Sequence, residues 1–232
     1  MDQLSYDTLA LGLAWYFVFV MSTTCHEAAH AWAALRLGDP TAYLGGQVSL
    51  NPMPHIAREP LGMVLAPIAS YLWMGWMFGW ASAPYNPSWA ARWPKRAAWM
   101  ALAGPATNLA LAILGWTVLW AGLRSGHFIR PDALKYSTIA VGAEEGFATS
   151  LATLASIGFS LNMILFVFNL LPIPPMDGGS VLPLLIGTSA AHKYQDFMAQ
   201  PGFSFIGLIV AWNIFPKIFP YVFSPALQLL YR

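Results

Sequence analysis

One short stretch of the sequence has the spacing of a metal site: His26-Glu27-Ala28-Ala29-His30. Side chains four residues apart lie on one face of a helix, so His26 and His30 can bind one Zn²⁺ while Glu27 reaches a water on the metal. In a chain with five histidines, roughly 0.0015 such matches are expected by chance. A pair of core or interface histidines is the alternative. Against it, Glu27 inside an apolar span costs about 2.5–3.5 kcal/mol on insertion scales and therefore indicates a functional site.

A catalytic zinc site needs three protein ligands and an open position, and Asp177 is the leading candidate for the third ligand. It follows the proline-rich stretch Pro172–Met176, which interrupts an apolar helix. Non-helical backbone at membrane depth is tolerated only where it is buried in protein or lines a cavity. Asp177 also suits the N-cap of the next helix, and one carboxylate can do both. The other candidates are His55, His127, His192 and the remaining acidic residues.

The elements that must position these residues are helices in a membrane. Of 232 residues, 57% are hydrophobic and 9% charged, against roughly 25% charged in a soluble domain. This composition excludes a soluble enzyme and predicts an all-α polytopic membrane protein in a lipid bilayer. About five apolar helical segments are expected: Leu9–Leu37, Leu61–Ala83, Ala97–Leu123, Phe147–Leu171 and a last span from about Phe203. The residues 218–231 are expected to span poorly or to lie in the interface.

Charge and segment lengths limit the partners and the domain organisation. The formal charge of +1 and the pI near 7.9 give no basic surface for nucleic acid, so no nucleic-acid partner is expected. No polar segment exceeds about 25 residues, which is too few for an independent core. The expectation is therefore a single domain over residues 1–232 with no separate soluble domain.

Smaller patterns predict local structure. In the turn-rich stretch Gly45–Pro52, Val48 and Leu50 alternate with Gln47 and Ser49, which predicts a short strand. Polar side chains in apolar helices most often form interhelical hydrogen bonds, and this is the role expected of Asn162. The pair Gly104-Pro105 favours close packing of helices.

These motifs together resemble the site-2 protease family of intramembrane zinc metalloproteases, in its short form without PDZ or CBS domains. The matching motifs follow one another along nearly the whole chain: His26-Glu27-Ala28-Ala29-His30, Ala103-Gly104-Pro105-Ala106-Thr107-Asn108, and the N-x-x-P-x-P-x-x-D-G stretch from Asn169 to Gly178. One departure is visible. Short members usually have His-Ile-Asp-Pro, whereas here His55-Ile56 is followed by Ala57-Arg58-Glu59-Pro60.

The resemblance implies roles for individual residues. His26, His30 and Asp177 correspond to the ligands of one Zn²⁺ per chain, and Glu27 to the catalytic glutamate. Asn169 corresponds to an asparagine that holds the substrate backbone or the developing oxyanion. The stretch Gly45–Pro52 corresponds to a membrane-dipping β element that aligns an unwound substrate. The residues given a possible aligning role are Gln47, Val48, Ser49 and His55.

The implied function is hydrolysis of peptide bonds in or near the transmembrane segments of partner membrane proteins, in regulated intramembrane proteolysis. The alternative from another class is a non-hydrolytic membrane protein, such as a metal-binding scaffold or a transporter. A transporter is expected to show repeated halves, and no repeat is visible in the sequence.

The position of the candidate ligands predicts the topology. His26 and His30 lie near the end of the first helix and Asp177 just past the end of its own, so both helices must cross the membrane in the same direction. One of the two intervening apolar runs then cannot cross fully, and Leu61–Ala83 is the better candidate because prolines and glycines interrupt it. A group of basic residues then falls on the side of the site: Arg36, Arg58, Arg92, Lys95, Arg96 and Lys193. The positive-inside rule makes that side cytoplasmic, in a multi-pass protein of a bacterial-type cell membrane.

Overall fold

The computed structural model of the protein describes residues 6–187, 190, 193–194, 196, 200 and 202–232. Most of these residues are helical. In chain order the elements are α1 (Tyr6–Leu37), α2 (Thr41–Leu44), α3 (Met53–Arg58), a π-helical turn (Leu61–Leu65), α4 (Ala66–Met74), α5 (Pro87–Arg92), α6 (Pro94–Arg124), β1 (Phe128–Ile129), β2 (Val141–Gly142), α7 (Phe147–Asn169), α8 (Asp177–Val181), a 3₁₀ turn (Leu182–Leu184) and α9 (Phe203–Leu230).

Four of these helices, α1, α6, α7 and α9, are long and apolar enough to cross a membrane. At a rise of about 1.5 Å per residue, even α7 with its 23 residues covers a bilayer core of roughly 30 Å. The shorter apolar segment Leu61–Met74 is the fifth. The prediction of an all-α polytopic membrane protein with about five apolar segments is confirmed.

Helices α1 and α6 run in opposite directions against each other. His26 of α1 contacts Asn108 of α6, and His30, one turn further along α1, contacts Met100, two turns earlier in α6. The first half of α6 therefore lies along the second half of α1, where the candidate metal ligands are.

Helix α7 is antiparallel to α6 in turn. Asn162 of α7 pairs with Asn108, whereas the earlier residue Phe159 meets Gly115, which is later in α6. A Cβ on Gly115 would lie only 2.7 Å from the Phe159 nitrogen, so glycine permits this close approach. Since α1 and α7 are both antiparallel to α6, they run the same way. This agrees with the direction required for the candidate ligands to meet.

The segment from Leu61 to Ala83 turns back on itself. Helix α4 ends at Gly75, whose φ of 75° reverses the chain. The Trp80 amide then donates to the Gly62 carbonyl at 3.2 Å, and the Ser82 hydroxyl donates to Glu59 Oε1 at 2.6 Å. The two ends of the hairpin therefore meet on the same side, as expected for a segment that does not cross.

The stretch Gly45–Pro52 forms turns and bends, so the strand predicted from the alternation over Gln47, Val48, Ser49 and Leu50 is wrong. The backbone N–H of Gln47 donates a hydrogen bond to a carbonyl of helix α2. The Ser49 hydroxyl accepts a hydrogen bond from the backbone N–H of Asn51 at 3.1 Å. Such local hydrogen bonds satisfy the backbone and compete with strand pairing. A small β element exists elsewhere, as the antiparallel pair β1–β2.

Helix α9 is continuous from Phe203 to Leu230, although it contains three prolines: Pro216, Pro220 and Pro225. Its first residue agrees with the start predicted for the last span. The residues 218–231, which were expected to span poorly or to lie in the interface, mostly belong to this one helix. Three phenylalanines four residues apart stack with ring centroids 5.0 and 4.9 Å apart: Phe215, Phe219 and Phe223. This aromatic ladder packs the helix across its proline positions.

Candidate metal centre

Helix α1 places three ionisable side chains together inside the protein. His26, Glu27 and His30 are all buried, and one ligand atom of each lies within 4.8 Å of the others. The two Nε2 atoms of His26 and His30 are 2.9 Å apart, as expected for imidazoles one helical turn apart on the same face.

Asp177 completes this group from the other side. It is the first residue of α8, and its Oδ2 lies 3.1 Å from His26 Nε2 and 3.3 Å from His30 Nε2. The chain reaches this position by a tight turn after α7. A Cβ on Gly178 would lie 2.3 Å from the Leu170 carbonyl oxygen, so only glycine fits directly after Asp177.

The outer nitrogen of each imidazole is held by an oxygen. His26 Nδ1 lies 2.5 Å from Asn108 Oδ1, and His30 Nδ1 lies 2.8 Å from the Met100 carbonyl. A carbonyl oxygen only accepts hydrogen bonds, so each Nδ1 carries the proton and each Nε2 presents a lone pair to the centre. This arrangement of metal-site histidines, with the second nitrogen donating to a carbonyl, is common in proteins.

Three lone-pair atoms therefore face one another within 3.3 Å: His26 Nε2, His30 Nε2 and Asp177 Oδ2. Such atoms repel at this distance unless a cation, a proton or a metal ion, lies among them. Two imidazole nitrogens and one carboxylate oxygen are a donor set of catalytic zinc sites. The residues present fit a zinc ion.

Helix α6 approaches the two metal-site histidines closely at Gly104. A Cβ at this position would lie 2.3 Å from His30 Nε2 and 2.5 Å from His26 Nε2. The close helix packing expected of Gly104-Pro105 thus occurs directly at the imidazoles. The sequence alone did not show that this glycine borders the site.

Within the described residues, the other predicted site residues form no hydrogen bond with this group. Asn169 is the half-buried last residue of α7, and within the described residues its side chain forms no hydrogen bond. Buried His55 lies 3.0 Å from the Ser49 carbonyl through Nε2, and Gln47 Nε2 donates to the Ser82 carbonyl at 3.4 Å. Val48 is half-buried in the same loop. The Gln47 contact ties the loop to the base of the hairpin, and the His55 contact ties it to α3.

Of the remaining histidine candidates for the third ligand, the structure places His127. His127 is exposed and pairs with the Ser125 hydroxyl at 2.9 Å. His192 lies outside the described residues. Within the described part of the chain, the one group of at least three potential ligands is that of His26, Glu27 and His30, to which the salt-bridge distances add Asp177.

Sequence reasoning missed several supporting groups. The Met100 carbonyl carries no signal in the sequence, because any residue offers one. Asn162 was expected to bond between helices, and it does, but its partner Asn108 also holds His26. Ser22, which accepts from Asn162 at 2.9 Å, lies one turn before His26 on the same helix, and this spacing was its only signal.

Known proteins resemble the chain over most of its length. The sequence model of peptidase family M50 matches residues 14–212. "Putative zinc metalloprotease YwhC" of Bacillus subtilis is 30% identical over 98% of this chain and 100% of that protein. "Putative zinc metalloprotease Rip2" of Mycolicibacterium smegmatis is 30% identical over 71% of this chain and 54% of its own length. The Rip2 protein of Mycobacterium tuberculosis is 31% identical over 59% of this chain and 58% of its own length. No solved structure matches the chain.

Proposed function

Since the chain belongs to peptidase family M50 and is a metalloprotease, we propose that it hydrolyses peptide bonds in or near the transmembrane segments of partner membrane proteins. The observation that carries the proposal is the meeting of His26, His30 and Asp177 beside Glu27, within helices apolar enough to span the bilayer. Residues 1–232 would act as one intramembrane domain.

One zinc ion per chain would be held by His26 Nε2, His30 Nε2 and the Asp177 carboxylate. Bound there, zinc supplies Lewis-acid polarisation of the scissile carbonyl and an acidified water. Three protein ligands leave one position for water or substrate, as in catalytic zinc sites generally.

Glu27 is the proposed general base. Its carboxylate accepts a proton from the attacking water and delivers it to the nitrogen of the leaving amine, so that the peptide bond breaks into an amine and a carboxylic acid that keeps the second water proton. The acid then ionises by giving this proton to the amine or to solvent. Glu27 lies one residue after a ligand, so its side chain points beside the metal-binding face and still reaches the centre. Burial keeps bulk water from competing for this carboxylate.

Asn169 is proposed to hold the substrate backbone or the oxyanion, because its side-chain amide has no hydrogen-bond partner within the described residues. A helical substrate must unwind locally before any carbonyl is accessible, since its backbone groups are bonded internally. The loop with Gln47, Val48, Ser49 and His55 would align the unwound segment, and its turn conformation leaves backbone groups for such pairing.

The protein is proposed to lie in a bacterial-type cell membrane with its site facing the cytoplasm. Its cleavage of membrane proteins is proposed to be regulated. Basic side chains gather at the end of α1 near the site. Arg96 Nη1 donates to the Leu37 carbonyl at 3.2 Å, and the ring of Trp93 lies under the Arg96 guanidinium at 4.4 Å. The positive-inside rule assigns the cytoplasm to such a cluster.

The test is to incubate purified protein in detergent with model single-span membrane substrates, with and without a chelator. The proposal expects cleavage that stops on chelation and returns with Zn²⁺. Tight zinc without cleavage of any membrane substrate would instead indicate the metal-binding scaffold. Cleavage of soluble peptides alone would contradict the assignment of membrane substrates.

A further inference from the structure

A chain of buried polar side chains leads away from His26 across three helices. It passes from His26 to Asn108 on α6, then to Asn162 on α7, and ends at the Gly158 carbonyl and Ser22. We propose that Asn108 and Asn162 are positioning residues that keep His26 protonated on Nδ1, and that the Gly158 carbonyl sets the orientation of both amides. The proposal rests on the proposed function, in which His26 binds zinc through Nε2.

The orientation starts from the Gly158 carbonyl, which can only accept. It lies 2.8 Å from Asn162 Nδ2, so Asn162 must direct its NH₂ group to this carbonyl and its oxygen to Asn108. Asn108 Nδ2 then donates to Asn162 Oδ1 at 2.9 Å, which leaves Asn108 Oδ1 facing His26. His26 Nδ1 must therefore donate, and Nε2 keeps the lone pair that a metal needs.

Burial makes this order strict. Asn108 is 0% exposed and Asn162 is 2% exposed, so bulk water does not reach either amide to replace a missing partner. Turning either amide by 180° would place donor against donor at one of its ends and acceptor against acceptor at the other. An unsatisfied buried polar group is costly, so one orientation is strongly preferred.

The two amides do not fix the tautomer of His30, and Ser22 does not fix the orientation of the amides. His30 Nδ1 donates directly to the Met100 carbonyl, so its tautomer depends on backbone alone. The Ser22 hydroxyl accepts from Asn162 Nδ2 at 2.9 Å, but a hydroxyl can donate as well as accept and so does not fix an amide. His30 is thus an internal control, and Ser22 is expected to be dispensable for the tautomer.

The experiment compares Asn108→Leu, Asn162→Leu and Ser22→Ala with the control Ser160→Ala. Ser160 lies on α7 two residues before Asn162, is fully buried, and its hydroxyl has no partner within the described residues. Zinc affinity is measured in detergent by competition with a chelator of known affinity. We expect the dissociation constant of Asn108→Leu to rise by about 10–100-fold, as for other groups that orient metal ligands. Asn162→Leu should show a smaller rise, and Ser22→Ala and Ser160→Ala none beyond about twofold.

The second readout reports the tautomer without requiring metal. In metal-free protein with ¹⁵N-labelled histidine, at a pH where the imidazoles are neutral, the ¹⁵N shifts show which ring nitrogen carries the proton. Wild-type His26 and His30 should both be protonated on Nδ1. In Asn162→Leu, His26 should become a mixture of tautomers while His30 stays unchanged, an outcome that a general loss of packing would not produce.

The possible results separate the two proposals. Wild-type protein without zinc affinity, but with His26 protonated on Nδ1, would refute the proposed function. It would leave intact the inference that Asn108 and Asn162 fix the His26 tautomer. Unchanged zinc affinity and an unchanged His26 tautomer in the leucine variants would overturn the inference. A loss of zinc affinity in Ser160→Ala equal to that in the leucine variants would also overturn the inference. If Asn108→Leu does not fold, Asn162→Leu decides, because it leaves the contact between Asn108 and His26 possible in either orientation.

Discussion

Replacing Gly104 by alanine tests how tightly the metal centre is enclosed. The new methyl group would lie 2.3 Å from His30 Nε2 and 2.5 Å from His26 Nε2, whereas ordinary contacts begin at 3.4 Å. The imidazoles and the methyl group must therefore separate by roughly 1 Å. A displacement of about 1 Å at a catalytic group can cost about 10²-fold in rate. We expect Gly104→Ala to lose about 100-fold in cleavage and most of its bound zinc.

Two other glycines provide matched controls. A Cβ on Gly158 meets nothing within 4 Å, so Gly158→Ala should keep activity and gain about 0.5–1 kcal/mol from helix propensity. A Cβ on Gly115 meets the backbone of Phe159, so Gly115→Ala should lose about 1–3 kcal/mol of stability without any contact to the site. The assays are zinc per protein, substrate cleavage and the thermal midpoint in detergent. Wild-type zinc content and cleavage in Gly104→Ala would refute this account of the site.

Three further predictions concern the ligands, the topology and an acidic residue. His26→Ala, His30→Ala and Asp177→Ala should each strip zinc from the purified protein, because each removes one of three protein ligands. Stoichiometric, tightly bound zinc in Asp177→Ala would show that another residue completes the site, with His55 the first candidate. A cysteine in the segment Arg92–Arg96, where α5 meets α6, should be labelled from the same side as one at Lys193 and from the side opposite to one at Arg130. Labelling of the first two from opposite sides would contradict the hairpin at Leu61–Ala83. Burial alone would raise the pKa of Asp39, but hydrogen bonds from Thr41 and from the backbone N–H of Asn86 hold that pKa below its usual range. A lowered pKa stabilises the fold above the unfolded-state value of about 3.9, and this contribution disappears as the pH falls through the folded-state value. The loss of stability in Asp39→Ala should therefore be present at neutral pH and shrink in acid; a loss independent of pH would refute the role of the charge.

The parts of the site that were predictable are those set by local spacing. The placement of His26, Glu27 and His30 follows from helical geometry, and the shared direction of α1 and α7 follows from the need for Asp177 to reach them. The reversal at Leu61–Ala83 was visible because Gly75 and the prolines are local signals.

The remainder depends on contacts between distant parts of the chain. Whether Asn108 faces His26 is decided by the rotation and depth of α6, which periodicity does not give. The alternation of Val48 and Leu50 resembled a strand, but no segment among the described residues pairs with it, and local hydrogen bonds formed turns. Helix α9 continues through its prolines beside a ladder of stacked phenylalanine rings, and the helix-breaking tendency of proline, judged from the sequence alone, does not predict this continuity.

The substitution Glu27→Gln tests the central claim most directly. It preserves the size of the side chain and removes its basicity, and Glu27 is proposed to carry a proton without binding metal. Zinc content and thermal midpoint should therefore match those of the wild type, while turnover of a membrane substrate falls by at least about 10²–10⁴-fold. Uncleaved substrate should still bind and co-purify with the variant. A Glu27→Gln protein that keeps its zinc and cleaves at the wild-type rate would contradict the mechanism.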